Sequence, residues 1–125
     1  VTFPEVTSNA EGSHVGICVK QKKGRTDYIL SSDTAAHVCS MGQMKAAATY
    51  ALWGKQGETD HIFFMGNGTY AETPHLTIKA DKNINVLLEN LDGEWYYTAS
   101  GPCRISLDGK QYIITRATEI KTLLH

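Results

Sequence analysis

Hydrophobic and polar residues alternate with a period of two along most of the chain, which is the spacing of a β-strand with one buried face. In the first such segment, Val15, Ile17 and Val19 share one face. The same alternation recurs downstream in residues 25–31, 76–80, 84–89, 95–97, 103–107 and 112–115. Residues 119–124 form either a last strand or a frayed end. The pattern therefore predicts a fold made mainly of β-strands.

Turn-forming residues separate these segments. Asp92-Gly93 and Asp108-Gly109 are the clearest hairpin turns, because Asp and Gly tolerate the positive φ angles of a primed turn. Many short strands at a spacing of about 8–12 residues are typical of a sandwich or barrel. We therefore expect an all-β fold, an antiparallel β-sandwich of short strands joined by hairpins. No linker or repeat interrupts the chain, so residues 1–125 are expected to form a single domain.

The segment from residue 42 to 53 fits two different structures. Met44, Ala48 and Leu52 fall at helical spacing, and neighbouring Ala and Lys residues favour a helix. A strand fits as well, because Ala48, Tyr50 and Leu52 alternate with their neighbours. The pattern alone leaves both alternatives open.

Composition and charge narrow the possible partners. The chain has 125 residues, 12 Lys plus Arg, 13 Asp plus Glu and a formal net charge of −1. Phosphate contacts supply most nucleic-acid affinity, so a chain without a basic block is expected to bind neither nucleic acid nor an anionic membrane. No apolar run approaches the roughly 18 residues of a membrane span. Because the chain begins at Val1 without Met, we expect a processed product or a piece of a larger protein.

Cysteine and histidine do not occur at metal-ligand spacing. Cys18, Cys39 and Cys103 lie far apart, and the five histidines are scattered singly. A structural zinc site uses closely spaced pairs of such residues, so no metal or other cofactor is expected. We expect the three cysteines to be small buried hydrophobic residues.

One histidine has neighbours that suit a general base. His61 follows Asp60, and Tyr50 or Tyr70 would complete a small catalytic group if the fold brought them together. The plainer interpretation is a histidine at the entrance of a strand. We therefore expect no catalytic residue in this chain and keep a small independent enzyme using His61 as a third hypothesis.

Aromatic residues offer a different chemistry, because sugar C–H faces pack on aromatic rings. Trp95 and Tyr97 share one face of a predicted strand and are expected in the core. Tyr96 lies on the opposite face, and Trp53 precedes Gly54, where a turn is expected. Trp53 and Tyr96 are therefore the predicted carbohydrate-binding residues, as an exposed stacking platform.

Three segments occur in a distinctive order along the chain. They are residues 26–33 (TDYILSSD), 48–53 (ATYALW) and 60–69 (DHIFFMGNGT), and strand-like segments at 76–81, 85–89 and 95–102 follow them. In this order they resemble the C-terminal all-β region of heparinase II/III-type polysaccharide lyases. The likeness covers residues 14–108 and concerns strand order and turn placement.

The resemblance implies a strand at residues 49–53 and a turn at 41–44. It also implies that this region follows a helical toroid and a β-rich central part in the parent chain. Such lyases cleave acidic polysaccharides by β-elimination, with Asn, His and Tyr residues that lie upstream of this region. Expected partners are therefore the remaining domains of the parent lyase and acidic polysaccharide, and the expected location is periplasmic or secreted.

Two functions follow as hypotheses of different classes. The first is a non-catalytic C-terminal β-sandwich domain that packs against the rest of a polysaccharide lyase. An exposed apolar surface would favour it, because monomers rarely leave large apolar patches uncovered. The alternative is a self-contained carbohydrate-binding module in which Trp53 and Tyr96 form the platform.

Overall fold

The computed structural model describes residues 5–11, 14–33 and 35–124, and most of them lie in β-strands. These residues contain no α-helix and one 3-10 turn, Lys22–Gly24. The strands are β1 (Glu5–Glu11), β2 (His14–Lys20), β3 (Arg25–Ser32), β4 (Cys39–Met41), β5 (Met44–Gln56), β6 (Thr59–Thr73), β7 (Leu76–Leu91), β8 (Glu94–Ala99), β9 (Cys103–Leu107), β10 (Lys110–Ile114) and β11 (Thr118–Leu123). Every pairing between them is antiparallel, which confirms the predicted all-β antiparallel fold.

The strands form one continuous hydrogen-bonded sheet that folds into two layers. Its main path is β1-β2-β3-β5-β6-β7-β8-β11, while β4 pairs with β5, and the β9–β10 hairpin joins β7. The central strands β5, β6 and β7 have 13, 15 and 16 residues, so they are longer than the short strands predicted. Register shifts between β5 and β6 and between β6 and β7, rather than turns, separate their two halves. Each long strand therefore contributes to both layers.

The inner faces of the two layers share one hydrophobic core. Cross-strand neighbours on the inner face of the first layer are Tyr28, Trp53, Phe63, Leu88 and Tyr97. On the inner face of the second layer they are Cys39, Ala46, Ala71, Ile78, Ile105 and Tyr112. Members of both rows belong to a single packed cluster. Burial of apolar surface between the layers is thus what holds the sandwich together.

Close packing at the bend requires a glycine. A Cβ atom at Gly68 would lie 2.4 Å from the Cβ of Ala48 and 2.7 Å from the carbonyl oxygen of Ala47. Real Cβ atoms do not approach other heavy atoms so closely. Gly68 therefore lets β6 pass β5 where the two strands leave one layer for the other.

Both predicted Asp-Gly hairpins form. Asp92 and Asp108 have φ angles of 56° and 49°, and the following Gly93 and Gly109 have φ angles of 87° and 84°. Positive φ at both central residues is the geometry of the primed turn that matches the twist of paired strands.

The ambiguous segment is a strand, as the resemblance implies, and a turn joins Met41 to Met44. Its helix-like spacing arises because the buried positions change parity along β5. Met44 and Ala46 are buried in the first half, whereas Ala51 and Trp53 are buried in the second. The switch follows the register shift between Ala47 and Ala48. The bend of β5 between the two layers therefore produces an apolar spacing that resembles that of a helix.

All three cysteines are buried and free, as predicted for small hydrophobic residues. Burial raises the pKa of the Cys103 thiol to about 11. The segment near the C-terminus, predicted as either a last strand or a frayed end, is a strand, because residues 118–123 pair with β8. Within the described ranges, no helix has the length and apolar character needed to cross a membrane.

Candidate functional site

Trp53 lies in the core rather than on the surface. It is 2% exposed, and its ring stacks on Tyr28 with centroids 4.8 Å apart. Its indole Nε1 donates a hydrogen bond of 2.8 Å to Oδ1 of Asp60. The prediction that Trp53 is exposed is therefore wrong, because β5 continues past Gly54 to Gln56 and alternation turns the indole inward.

Tyr96 is half-buried and points away from Trp53. The inner-face row that contains Trp53 reaches β8 at Tyr97, so the preceding residue faces the other side of the sheet. The Tyr96 hydroxyl donates to Oε2 of Glu94 over 3.3 Å. The predicted pair of rings thus occupies two opposite faces and cannot form one stacking platform.

The residues proposed around His61 have separate partners. His61 is exposed, and the Asp60 carboxylate accepts the Trp53 hydrogen bond instead of orienting the imidazole. The Tyr70 hydroxyl donates to the carboxylate of Glu72, which together with burial raises the pKa of Tyr70 to about 12. These contacts do not assemble the imagined base and its partners. Across the described part of the chain, no group of three His, Cys, Asp or Glu residues is placed to hold a metal ion.

The most unusual surface is an apolar row on the outer face of the first layer. The row crosses five neighbouring strands, and the register aligns its members as Ile17, Ile29, Leu52, Phe64 and Leu87. Each of these side chains is half-buried, although it lies on the face opposite the core. A sheet face that meets water normally carries polar residues at these positions.

An aromatic pair extends the apolar row along the outer face. Tyr50 and Phe64 lie with ring centroids 5.8 Å apart, and Tyr50 is 37% exposed. The Phe64 ring lies over Gly66, where an added Cβ would come within 3.0 Å of it. Val15 adds a further apolar side chain that is 43% exposed. We call the row with Tyr50 and Val15 the apolar outer face.

Ion pairs border this face on one side. The Arg25 guanidinium lies 3.1 Å from the Asp27 carboxylate, and the Lys121 ammonium lies 3.2 Å from that of Glu89. Both carboxylates belong to the next outward-facing row of the sheet. An apolar centre with a charged rim is the usual anatomy of a protein–protein interface.

The apolar outer face leaves a signal in the sequence, although the alternation within single strands does not reveal it. In the first layer, pairs of consecutive apolar residues occur in β3, β5, β6 and β7, at Ile29-Leu30, Leu52-Trp53, Phe63-Phe64 and Leu87-Leu88. Such pairs place one side chain on each face of the sheet. Strands covered on both faces show continuous apolar runs rather than strict alternation.

The outer face of the second layer is different. Its cross-strand row is polar throughout and consists of Ser40, Lys45, Glu72, Thr77, Ser106 and Gln111. The next row contains the exposed Ile113, which lies beside Arg104 and Lys79. A single exposed apolar side chain among charged ones is ordinary for a solvated surface.

A scan against protein-family models finds no matching family, and a search of the curated proteins finds no matching protein. Fold and surface chemistry therefore carry the functional proposal together with the resemblance in strand order.

Proposed function

We propose that this chain is a non-catalytic C-terminal β-sandwich domain of a heparinase II/III-like polysaccharide lyase, and that the apolar outer face packs against the remaining domains. The parent enzyme cleaves acidic polysaccharide by β-elimination. The observation that supports the proposal is the row of five apolar side chains on the face opposite the core.

The apolar outer face is suited to burial in a permanent interface with another domain. Monomeric proteins seldom expose contiguous apolar patches larger than a few hundred Å². Here Leu52, Phe64 and Leu87 lie in three adjacent strands, and no polar residue interrupts their row from β2 to β7. A partner that buries these side chains gains roughly 25 cal/mol for each Å² of apolar surface removed from water. The packing partner is therefore a matching apolar surface of the parent enzyme.

A non-catalytic role is consistent with the separate partners of Asp60 and Tyr70. β-Elimination needs a base for the proton beside the uronate carboxylate and a group that neutralises the enolate charge. In this chain Asp60 accepts a hydrogen bond from Trp53, and Tyr70 donates one to Glu72. The chemistry is therefore assigned to the remaining domains of the parent.

A periplasmic or secreted location belongs to the same proposal. Oxidising compartments favour disulfide formation between accessible thiols. Cys18, Cys39 and Cys103 are all buried, so none of them presents a thiol for accidental cross-linking.

The coding sequence upstream of Val1 tests the proposal directly. We expect it to encode a long helical region, followed by a β-rich part that carries the Asn, His and Tyr residues of the elimination chemistry. A stop codon or an unrelated module at that place would contradict the proposal.

The second candidate, a self-contained carbohydrate-binding module, loses its predicted platform because Trp53 is buried and Tyr96 faces the other side. The apolar outer face retains one aromatic pair, the exposed Tyr50 and the half-buried Phe64. Titration with sugars separates the two functions, because chemical-shift changes on those two rings at sub-millimolar sugar would favour the module.

A further inference from the structure

An open cleft lies at the end of the sandwich where several turns meet. Its volume is about 260 Å³, and its lining residues are Glu58, Thr59, Asp60, His75, Asn90, Trp95 and Asp108. A second cleft of about 320 Å³ adjoins it and shares His75 and Asp108. Small-ligand pockets begin at about 300 Å³, so this pair of clefts can hold one or two sugar-sized units.

We propose that these clefts, called the end cleft hereafter, bind an uncharged sugar residue of a glycan, with the Trp95 ring as the stacking surface. Trp95 packs one side against the core and lines the cleft, so it combines an apolar surface with a fixed position. An aromatic side chain of this kind buries a large area at little conformational cost. The proposal holds whether or not a partner covers the apolar outer face.

Polar groups around Trp95 are held in place by bonds within the protein. The Asn90 amide donates to the backbone carbonyl of Asp60 at 3.1 Å, and its oxygen accepts from the amide of Gly93 at 3.0 Å. Asp60 uses Oδ1 for the Trp53 indole, and no described residue donates to its other oxygen. That oxygen is therefore a preorganised acceptor for a sugar hydroxyl.

His75 and Asp108 link the two parts of the end cleft. The imidazole Nδ1 lies 3.6 Å from Oδ1 of Asp108, and the Asp108 amide donates to the His75 carbonyl at 3.0 Å. Both side chains are more than half exposed. An imidazole beside a carboxylate presents a donor and an acceptor together, which suits the adjacent hydroxyl groups of a sugar.

A buried hydroxyl group in the end cleft lacks a partner. Thr73 lines the second part, is 4% exposed, and its Oγ1 makes no hydrogen bond with the residues that the structure describes. Buried polar groups without partners are rare in native proteins and call for an explanation. A small outward shift of the side chains that cover Thr73 would let a sugar hydroxyl supply the missing bond.

The charge of the end cleft selects the kind of sugar. Glu58, Asp60 and Asp108 contribute carboxylates, whereas the lining residues include no Lys or Arg. Like charges repel, so uronate and sulfated units are disfavoured there. The cleft therefore takes neutral hexose or pentose units and not acidic ones.

Titration of the 125-residue chain with neutral gluco-, manno-, galacto- and xylo-oligosaccharides, and with a uronate oligomer, tests the proposal by NMR. We expect one neutral series to bind with a Kd of about 0.1–1 mM. The largest shifts should occur at the Trp95 indole, the Asn90 amide and His75. The uronate oligomer should cause no shift there.

Two matched variants show whether the end cleft is the site. Asp108→Asn should weaken neutral-sugar binding by about fivefold or more, because it removes a charged acceptor. Asp92→Asn changes the equivalent residue of the other Asp-Gly turn and should leave binding unchanged. Both positions have positive φ, which Asn tolerates, so both variants should fold.

Four outcomes would overturn the proposal. The first is no binding of any neutral sugar at a sugar concentration 10-fold above the expected Kd range, and the second is chemical-shift changes confined to Tyr50 and Phe64. The others are equal weakening by both Asn variants and uronate binding as tight as neutral-sugar binding.

Discussion

The outer faces of the two layers differ although the same three strands run through both. In the first layer one outward-facing row crosses β5, β6 and β7 at Leu52, Phe64 and Leu87. In the second layer one outward-facing row crosses the same strands at Lys45, Glu72 and Thr77. Inner-face packing needs apolar residues only at every second position, and the second layer keeps to that pattern.

The first layer therefore carries apolar residues beyond those that the core requires. Since Phe63 and Phe64 are consecutive, a single strand shows both roles. Phe63 is 1% exposed in the core, and Phe64 lies half-buried over Gly66 on the outer face. The comparison indicates that the outer residues of the first layer are used for contact with another surface and contribute little to the fold itself.

Substitution of the two phenylalanines should have the largest effect and the largest contrast. Phe63→Ala should lower the free energy of unfolding by about 3–5 kcal/mol, because it leaves a cavity in the core. Phe64→Ala should lower it by about 1 kcal/mol, because it removes a half-buried aromatic contact with Tyr50. Urea unfolding of both variants checks this. Equal losses would mean that the outer face is part of the fold.

Trp53, in the inner-face row of the first layer, makes one side-chain hydrogen bond, to Asp60, and its removal should have the next largest effect. Asp60→Ala leaves the buried indole N–H of Trp53 without an acceptor, which should cost about 1–3 kcal/mol. Glu58→Ala is the control, because the Glu58 side chain is fully exposed. Thermal unfolding should separate the two variants. Equal midpoints would show that the Trp53 hydrogen bond does not contribute.

A change at Thr73 should act in the opposite direction. Thr73→Val removes a buried hydroxyl that has no partner and keeps the branched shape, so it should raise the free energy of unfolding by about 1 kcal/mol. Thr77→Val, on the polar outer row, should change it little. A destabilised Thr73→Val protein in chemical unfolding would show that the hydroxyl is satisfied in solution.

The sequence predicts some parts of this molecule well and others poorly, for physical reasons. Alternation along single strands and the Asp-Gly turns depend on local geometry, so the all-β class and the hairpins at Asp92 and Asp108 could be predicted. The exposure of Trp53 depends on how far β5 continues, and pairing with β3 and β6 determines that. A glycine next to Trp53 therefore does not by itself indicate a turn or an exposed indole ring.

The end cleft could not be predicted at all from local pattern. Asp60, His75, Asn90 and Asp108 belong to different turns or strand ends, and the fold of the whole sheet brings them together. The apolar outer face is an intermediate case. Its paired apolar residues are visible in the sequence, but register is needed to align Ile29, Leu52 and Leu87 in one row.

On the outer face of the second layer, Tyr70 should make the free energy of unfolding depend on pH, which is the smallest of the expected effects. The Tyr70–Glu72 hydrogen bond and burial raise the pKa of Tyr70 in the folded protein from 10 to about 12. Folding thus favours the protonated phenol, and this contribution is complete below pH 10 and is lost as the pH rises toward 12. Tyr70→Phe should show a smaller fall in stability over this range, the remainder coming from the buried Cys103 thiol, whereas Tyr50→Phe should keep the full fall. Alkaline urea titrations that agree for all three proteins would contradict the assignment.

Side-chain footprinting of the same chain, alone and joined to the polypeptide encoded upstream of it, tests the central claim most directly. In the isolated chain, a carbene or hydroxyl-radical label should reach both Leu52 and Phe64 on the first layer and Thr77 and Gln111 on the second. In the longer protein, Leu52 and Phe64 should lose most of their labelling, while Thr77 and Gln111 keep theirs. Equal labelling of Leu52 and Phe64 in both forms would contradict the claim that the apolar outer face is covered.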